Sequence, residues 1–342
     1  MSKLKKFFKG KSVLITGASG SIGSVIVKKL LNYNCKVIRA ISNDENGIYH
    51  LSNDIDSELK TSFQNKMKIN KIRYLIGDIR DYKRNLEACK GVDIVIHTAA
   101  LKHVPICEYN PGETKKTNIN GTQKLIKAAI AKKVKSFLFI STDKAVNPVS
   151  LMGKSKLDAE NIVLKSNNAA SRTNFAVIRF GNIIGSRGSV LLNFLNQIKK
   201  NKEITVTNKN MTRFFITIKD VTTEIFNAIS VMKGGELFTI KKMKVFKILD
   251  LAKALKSIFK YKKKIKIIGL RDGEKLYEEL LEKKYLHKIY FLDNLVILKK
   301  NNPINNFDTL ALLKIFNSNT ARHLNIEEIK RFLIRDVKLK LK

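Results

Sequence analysis

Short apolar runs rich in β-branched and aromatic residues alternate with longer amphipathic stretches through the first half of this chain. That alternation limits the fold more than any other feature of the 342 residues. Val13–Ile15, Lys36–Arg39, Ile72–Ile76, Asp93–Ile96, Phe137–Ile140 and Phe175–Arg179 read as strands. Ser21–Asn32, Glu113–Lys133 and Leu151–Leu164 read as helices between them. Strand and helix in regular succession predict an α/β fold, a doubly wound parallel sheet with helices on both faces. From about Gly181 the rhythm is less regular, with helices expected over Ser189–Lys200, Thr222–Met232 and Ile248–Phe259. Neither an internal repeat nor a low-complexity linker divides the chain.

The first strand runs into Thr16-Gly17-Ala18-Ser19-Gly20-Ser21-Ile22-Gly23 and then a helix. Glycines at these places let the backbone turn sharply and approach a pyrophosphate at the positive end of the helix. A glycine trio alone is a weak signal, but after an N-terminal strand in a chain of βα units it becomes a strong one. Residues 8–185 are therefore expected to bind a dinucleotide. Residues 186–342 are expected to form mainly a smaller substrate domain, with some segments returning to the first. The second strand should end near Ser42. NAD-selective proteins carry an acid there for the ribose hydroxyls, so Ser42 leaves room for a 2′-phosphate and favours NADP over NAD. Asp44 or Glu45 takes that place instead if the strand ends two residues later. Gly77-Asp78-Ile79-Arg80 is either an adenine contact or a polar turn.

The chemistry concentrates in Ser141-Thr142-Asp143-Lys144, at the end of an apolar strand, and in Met152-Gly153-Lys154-Ser155-Lys156 shortly after it. A hydroxyl, an acid and two amines beside one bound molecule can remove one proton, donate another and hold a cofactor.

Composition narrows the remaining classes. The net charge of +37 suggests nucleic acid or a membrane surface, but only 12 of the 66 basic residues are Arg, and the lysines are spread through every segment. A phosphate-gripping groove concentrates Arg and interleaves aromatics, so neither nucleic-acid binding nor membrane insertion is expected. Cys35, Cys89 and Cys107 are odd in number and lack metal or disulfide spacing, consistent with reduced thiols in the cytoplasm. No pair among His97, His103 and the other histidines has ligand spacing, so no metal is expected. The basic start lacks an apolar run long enough for a signal peptide, and no stretch approaches a membrane span.

Taken in order, several short motifs carry a family likeness: the glycine loop, Ala99-Ala100-Leu101-Lys102-His103-Val104-Pro105, Thr117-Asn118-Ile119-Asn120-Gly121-Thr122, Ser141–Pro148, Arg179–Asn182, Gly185–Val190, Met211–Arg213 and Gly269–Lys275. The chain resembles the extended short-chain dehydrogenase/reductases. More narrowly it resembles the configuration-inverting UDP-N-acetylglucosamine 4,6-dehydratases and their capsular polysaccharide relatives, the capsule-type branch again in Phe316–Leu324. The resemblance implies a Rossmann sheet with a smaller C-terminal substrate-binding α/β domain, a UDP-sugar substrate, NADP as cofactor (or NAD), and a homo-oligomer. In the implied reaction C4 of the hexose is oxidised to a ketone, which acidifies the C5 hydrogen. A base removes that hydrogen while an acid helps the C6 hydroxyl leave as water. The hydride then returns to C6, and a proton to C5 from the opposite face.

The implied roles fall on residues present here. Asp143 protonates the leaving hydroxyl, and Lys144 is the base at C5, which asks for a neutral amine and so a depressed pKa. Thr142 bonds the C4 oxygen, Lys156 holds the nicotinamide ribose, and Asn118 supports the active-site helix. Thr16, Gly17, Ser19, Gly20, Ser21, Ile22, Gly23, Ser42, Asp78, Ile79, Ala99, Ala100 and Lys102 line the cofactor. Lys102, Asn182, Arg187, Ser189, Val190, Thr212, Arg213, Arg271 and Glu274 face the substrate. Arg213 and Arg271 are expected to clamp the pyrophosphate, and Glu274 to meet the ribose. The departure is Met152, where most relatives in the superfamily have a Tyr whose phenolate takes the C4 proton. A thioether has no proton to exchange, which leaves the C4 base open among Asp143, a water relayed through Thr142, and Lys156. Two other readings compete: a UDP-sugar 4-epimerase, which needs no acid–base pair at C5 and C6, and a non-catalytic dinucleotide-binding protein with a basic surface.

Overall fold

A computed structural model describes residues 3–59, 69–167, 172–282, 289–299 and 309–339. The end of the expected C-terminal segment, 340–342, lies outside the described residues. The six expected strands are present as β1 (Ser12–Thr16), β2 (Val37–Ser42), β3 (Ile72–Ile76), β4 (Ile94–His97), β5 (Ser136–Ile140) and β6 (Asn174–Arg179). They pair in parallel in the order β6-β5-β4-β1-β2-β3. β1 is buried along its whole length because helices cover both faces, and its sequence is correspondingly an unbroken apolar run.

Side chains on successive strand positions point to opposite faces. Val13, Ile15, Ile96 and Leu138 therefore meet Ile26, Val27 and Leu30 of the helix Ser21–Leu30 in one layer. Leu14, Val95, Phe137 and Phe139 meet Leu125, Ala128 and Ala159 in the other. The helix expected over Glu113–Lys133 is a succession of Pro111–Lys115, a π-helical stretch Lys116–Gly121, and Thr122–Ala131. The π stretch contains Asn118, and such widened turns commonly mark functional positions.

The later strands are β7 (Asn182–Ile183), β8 (Ile204–Val206), β9 (Thr212–Ile216), β10 (Leu237–Ile240), β11 (Lys244–Lys247), β12 (Ile265–Ile267), β13 (Ile289–Leu292) and β14 (Leu295–Leu298). β10 adds to β6 in parallel, and β14 and then β13 extend that edge antiparallel, giving a nine-stranded sheet. The sheet β11-β9-β7 and the pair β12-β8 carry a separate core with the helices Val190–Lys199, Ile248–Ile258 and Ile326–Arg331. Phe215 and Phe246 stack there at 4.1 Å and 5°. The α/β architecture with a large, mainly parallel Rossmann sheet and a smaller C-terminal unit is the one expected. No helix among the described residues is long and apolar enough to cross a membrane.

Candidate active site

Strand order reverses between β1 and β4, and in doubly wound sheets ligands bind at that reversal, beyond the strand carboxyl ends. The glycine loop follows β1, and Thr98–Ala100 follow β4. Gly17 has φ +64°, and a Cβ there would lie 2.8 Å from the Ala99 backbone. A Cβ on Gly23 would collide with the Gly17 carbonyl. The helix Ser21–Leu30 starts at this loop with Gly20 as its cap and no side-chain acceptor over its first N–H groups. Such a cradle fits a dinucleotide pyrophosphate.

The loop's polar groups are organised by neighbours. Ser19 Oγ lies 2.9 Å from Ser42 Oγ and donates to Asp44 Oδ2 at 3.3 Å. Arg187 reaches over from the second half, donating its guanidinium to the Ser19 carbonyl at 2.7 Å and its N–H to Ser21 Oγ at 3.1 Å. Lys102 donates to the Arg187 carbonyl at 2.7 Å, and burial, with Arg187 adding to it, lowers its pKa. Ile22 packs partly buried against the core.

Asp78 accepts from the Arg80 backbone at 2.8 Å and from its guanidinium at 2.7 Å. Burial raises its carboxyl, but the Arg80 hydrogen bonds outweigh it and the net direction is down. Ile79 is buried under Gly121. Asn118 fastens the loop after β4, accepting from Leu101 N–H at 2.8 Å and donating to the Leu101 carbonyl at 3.0 Å and to Ser155 Oγ at 2.9 Å. Thr16 Oγ1 and Thr122 Oγ1 flank the buried His97 ring at 2.7 and 2.9 Å. Burial, with Lys156 adding to it, pushes that imidazole down to about 3, so it is a neutral structural link between β1, β4 and the helix Thr122–Ala131.

Beyond β5 the chain makes a short 3₁₀ turn, Asp143–Ala145, capped by Thr142. Asp143 is fully buried, and its Oδ1 accepts from Thr142 Oγ1 and from Lys144 Nζ, each at 2.9 Å. Its Oδ2 is buried without a hydrogen-bond partner among the described residues. Lys144 Nζ also donates to Asn182 Oδ1 at 2.9 Å and stands 3.7 Å from Glu278 Oε1. Burial lowers the Lys144 ammonium, but Asp143 and Glu278 outweigh that, with Arg213 opposing, and the net direction is up. The depressed lysine that the sequence asks for at this position is not what these neighbours produce. A second, buried acid that the sequence reading missed stabilises the cation.

Lys156, unlike Lys144, is strongly depressed. It lies on the helix Leu151–Lys165, donates to the Ile140 carbonyl at 2.6 Å and sits 3.9 Å over the Phe139 ring. Burial pushes it down to about 7, with Glu160 opposing. Met152, one turn earlier, is buried. Gly153 allows the helix to pass the Lys144 carbonyl, which a Cβ would strike.

A cavity of about 370 Å³ opens beside Lys144. Asn182, Val190, Arg213, Arg271, Glu274 and Glu278 line it, among others. Ser189 caps the helix that Val190 begins, and its hydroxyl is buried without a hydrogen-bond partner among the described residues. Several expectations shift here, since Lys102, Arg187 and Ser189 are not among the residues lining the cavity. Thr212 does not line the cavity; its hydroxyl faces Ser318 Oγ at 3.0 Å. Arg213 does line it, but its guanidinium donates to the carbonyls of Thr212, Lys275 and Leu276 at 2.7–3.1 Å. It therefore straps the 271–278 loop to β9. Arg271 and Glu274 close a turn through backbone N–H contacts, leaving the Arg271 side chain exposed.

Residues 13–300 match the family described as polysaccharide biosynthesis protein. An inverting UDP-N-acetylglucosamine 4,6-dehydratase of Campylobacter jejuni is 42% identical over 84% of this chain and 82% of its own length. A protein of Rickettsia bellii named UDP-glucose 4-epimerase is 37% identical over 96% of both. The solved structure of Pen from Bacillus thuringiensis is 37% identical, with a TM-score of 0.86, over 98% of this chain and 100% of that one. DesIV of Streptomyces venezuelae, a dTDP-glucose 4,6-dehydratase solved with NAD bound, shares the fold at 18% identity and a TM-score of 0.68, over 78% and 86% of the two chains. This chain belongs to the polysaccharide biosynthesis protein family.

Proposed function

We propose that this protein is a nucleotide-sugar 4,6-dehydratase. It converts UDP-N-acetylglucosamine to a UDP-4-keto-6-deoxy sugar with inversion at C5, in the cytoplasm, for surface-glycan synthesis. The carrying observation is the 2.9 Å contact between Lys144 Nζ and Asp143 Oδ1 beside a cavity that Arg271 and Glu274 also line. Residues 8–185 hold the dinucleotide, and most of 186–342 holds the sugar nucleotide.

The resting charge of Lys144 explains how one contact serves two purposes. Moving a single proton from the Lys144 ammonium to Asp143 leaves an amine for the C5 hydrogen and a carboxylic acid for the C6 hydroxyl. A substrate that displaces water favours this neutral pair, because a desolvated ion pair loses its hydration. Thr142 Oγ1 is then free to meet the C4 oxygen. With Met152 unable to exchange a proton, Lys156 is the group we assign to the C4 hydroxyl, and its depressed value supports that role. Arg271 grips the diphosphate and Glu274 the ribose.

A nicotinamide dinucleotide bound over the glycine loop would supply the hydride acceptor and donor. Gly17, Ser19, Gly23 and Arg187 would hold it. Ser42 at the end of β2 favours NADP, and Asp44 is the group that resists an added phosphate. We further propose a homo-oligomer, in keeping with the family resemblance.

Purified protein incubated with UDP-N-acetylglucosamine in deuterated water tests the reading. Loss of water by mass spectrometry with deuterium at C5 is expected. A product of unchanged mass inverted at C4 would instead support the 4-epimerase reading, which the name of the Rickettsia relative favours. Unlabelled, unchanged substrate after long incubation would sink both.

A further inference from the structure

Glu278 belongs to none of the motifs that mark the site, yet it sits at the centre of its charges. Its carboxyl is 2% exposed. Burial, with Asp143 adding to it, raises its pKa, while Lys144, Arg213 and Lys275 oppose that and favour the carboxylate. Oε1 lies 3.7 Å from Lys144 Nζ and 3.7 Å from Arg213 Nε, and Oε2 lies 3.8 Å from Lys275 Nζ. Oε2 has no hydrogen-bond partner among the described residues. The backbone beneath it is fixed: Glu278 N–H donates to Ser318 Oγ at 2.8 Å, and the Ser318 N–H donates back to the Glu278 carbonyl at 2.9 Å.

An ammonium has three N–H donors. For Lys144, Asp143 Oδ1 and Asn182 Oδ1 are bonded acceptors, and Glu278 Oε1 is the third acceptor nearby. The charged groups facing Lys144 are Asp143, Glu278 and Arg213. Asp143 comes from the turn after β5, whereas Glu278 comes from the loop that also carries Arg271 and Glu274.

We infer that Glu278 is a positioning residue for Lys144. It holds the lysine as an ammonium at the cavity and couples its charge to the placement of the loop that meets the sugar nucleotide. Once substrate fills the cavity and that loop adjusts, a small lengthening of the 3.7 Å contact weakens the hold, and the Lys144 proton passes to Asp143. The inference rests on the dehydratase reading, but its test does not require turnover.

Lys144 is acylated with acetic anhydride across a pH series, and the modified peptide is quantified by mass spectrometry. Only the neutral amine reacts, so the midpoint reports the charge of Lys144. Glu278→Gln is expected to lower that midpoint by about 1–3 units, the effect of removing an opposite charge at this range. Glu278→Asp keeps the charge and is expected to leave the midpoint within about half a unit, which also covers the case in which the Gln variant does not fold. In turnover the ascending limb of the kcat profile should move by the same amount, with KM for UDP-N-acetylglucosamine within about twofold. An unmoved midpoint in Glu278→Gln, or a midpoint in Glu278→Asp displaced as far as expected for the Gln variant, overturns the inference. A moved midpoint in a protein whose wild type never dehydrates UDP-N-acetylglucosamine supports the coupling and overturns the functional reading instead.

Discussion

A half-buried lysine and a buried one stand within one site, and their surroundings drive them in opposite directions. Lys144 has Asp143 bonded to it, Glu278 nearby and Asn182 completing the shell, and these hold it charged. Lys156 has a backbone carbonyl and the face of Phe139, with Glu160 opposing only in part, and burial brings it to about 7. Burial alone therefore does not decide whether a lysine is an acid or a base; the number of carboxylates within reach does. In the proposed reaction, a chain that lacks the usual phenol thereby brings an amine of lowered pKa and a charged one to neighbouring carbons of the same sugar.

The largest effect that tests this contrast is Lys144→Met. Loss of acid–base function should lower turnover about 10²–10⁴-fold, while dinucleotide affinity, measured by equilibrium titration, stays unchanged. Equal loss of affinity would mean that the two lysines share one role. Lys156→Met should weaken dinucleotide binding about tenfold or more through the lost ribose contact. Unlike Lys144→Met, it should lower affinity and turnover together, since Lys156 is also the group assigned to the C4 hydroxyl. In wild type, the rate of C4 oxidation in a single turnover should climb as pH rises through about 7, where Lys156 loses its proton. A flat profile there would remove Lys156 as the C4 base.

His97 sharpens the contrast from the stability side, because its folded value of about 3 lies below the ordinary imidazole value of 6.5. The folded state refuses a proton that the unfolded chain takes up. Stability is therefore full above the unfolded value and falls as pH drops from there toward 3. Going from pH 6.5 to 5 should cost about 1.6 kcal/mol through this ring alone. Denaturant titrations should show this slope in wild type and lose it in His97→Gln. The smallest expected effect is at Asp44, one exposed charge away from the lysine pair. Asp44→Asn should tighten NADP by up to about fivefold and leave NAD unchanged, read by calorimetry.

Much of the fold was legible because its determinants are local. Each of the first six strands is a short apolar run, and the glycine loop announces the crevice. Thr142, Asp143 and Lys144 are adjacent in sequence, so their meeting needs no long-range information. Glu278 was hidden for the opposite reason. It reaches Lys144 only because Thr212 N–H bonds the Leu276 carbonyl and Ser318 bridges the loop, pairings across tens of residues that no spacing encodes. The charge of Lys144 was misjudged along with it. Arg213 was expected at the diphosphate from its residue type, yet three backbone carbonyls had a prior claim on its fork. The strands β13 and β14 also went unread, since short antiparallel additions to a sheet edge carry no helix rhythm to flag them.

The late arrival of β10, β14 and β13 at the flank of β6 bears on biosynthesis. A ribosome that has just released Arg179 has delivered six of the nine strands, with the outer rim of β6 still bare. That rim offers unpaired amides and carbonyls to any passing chain. Translation proceeds at about 5–20 residues per second, so the nascent polypeptide must keep this hazard covered for several seconds, until β10 emerges to seal it.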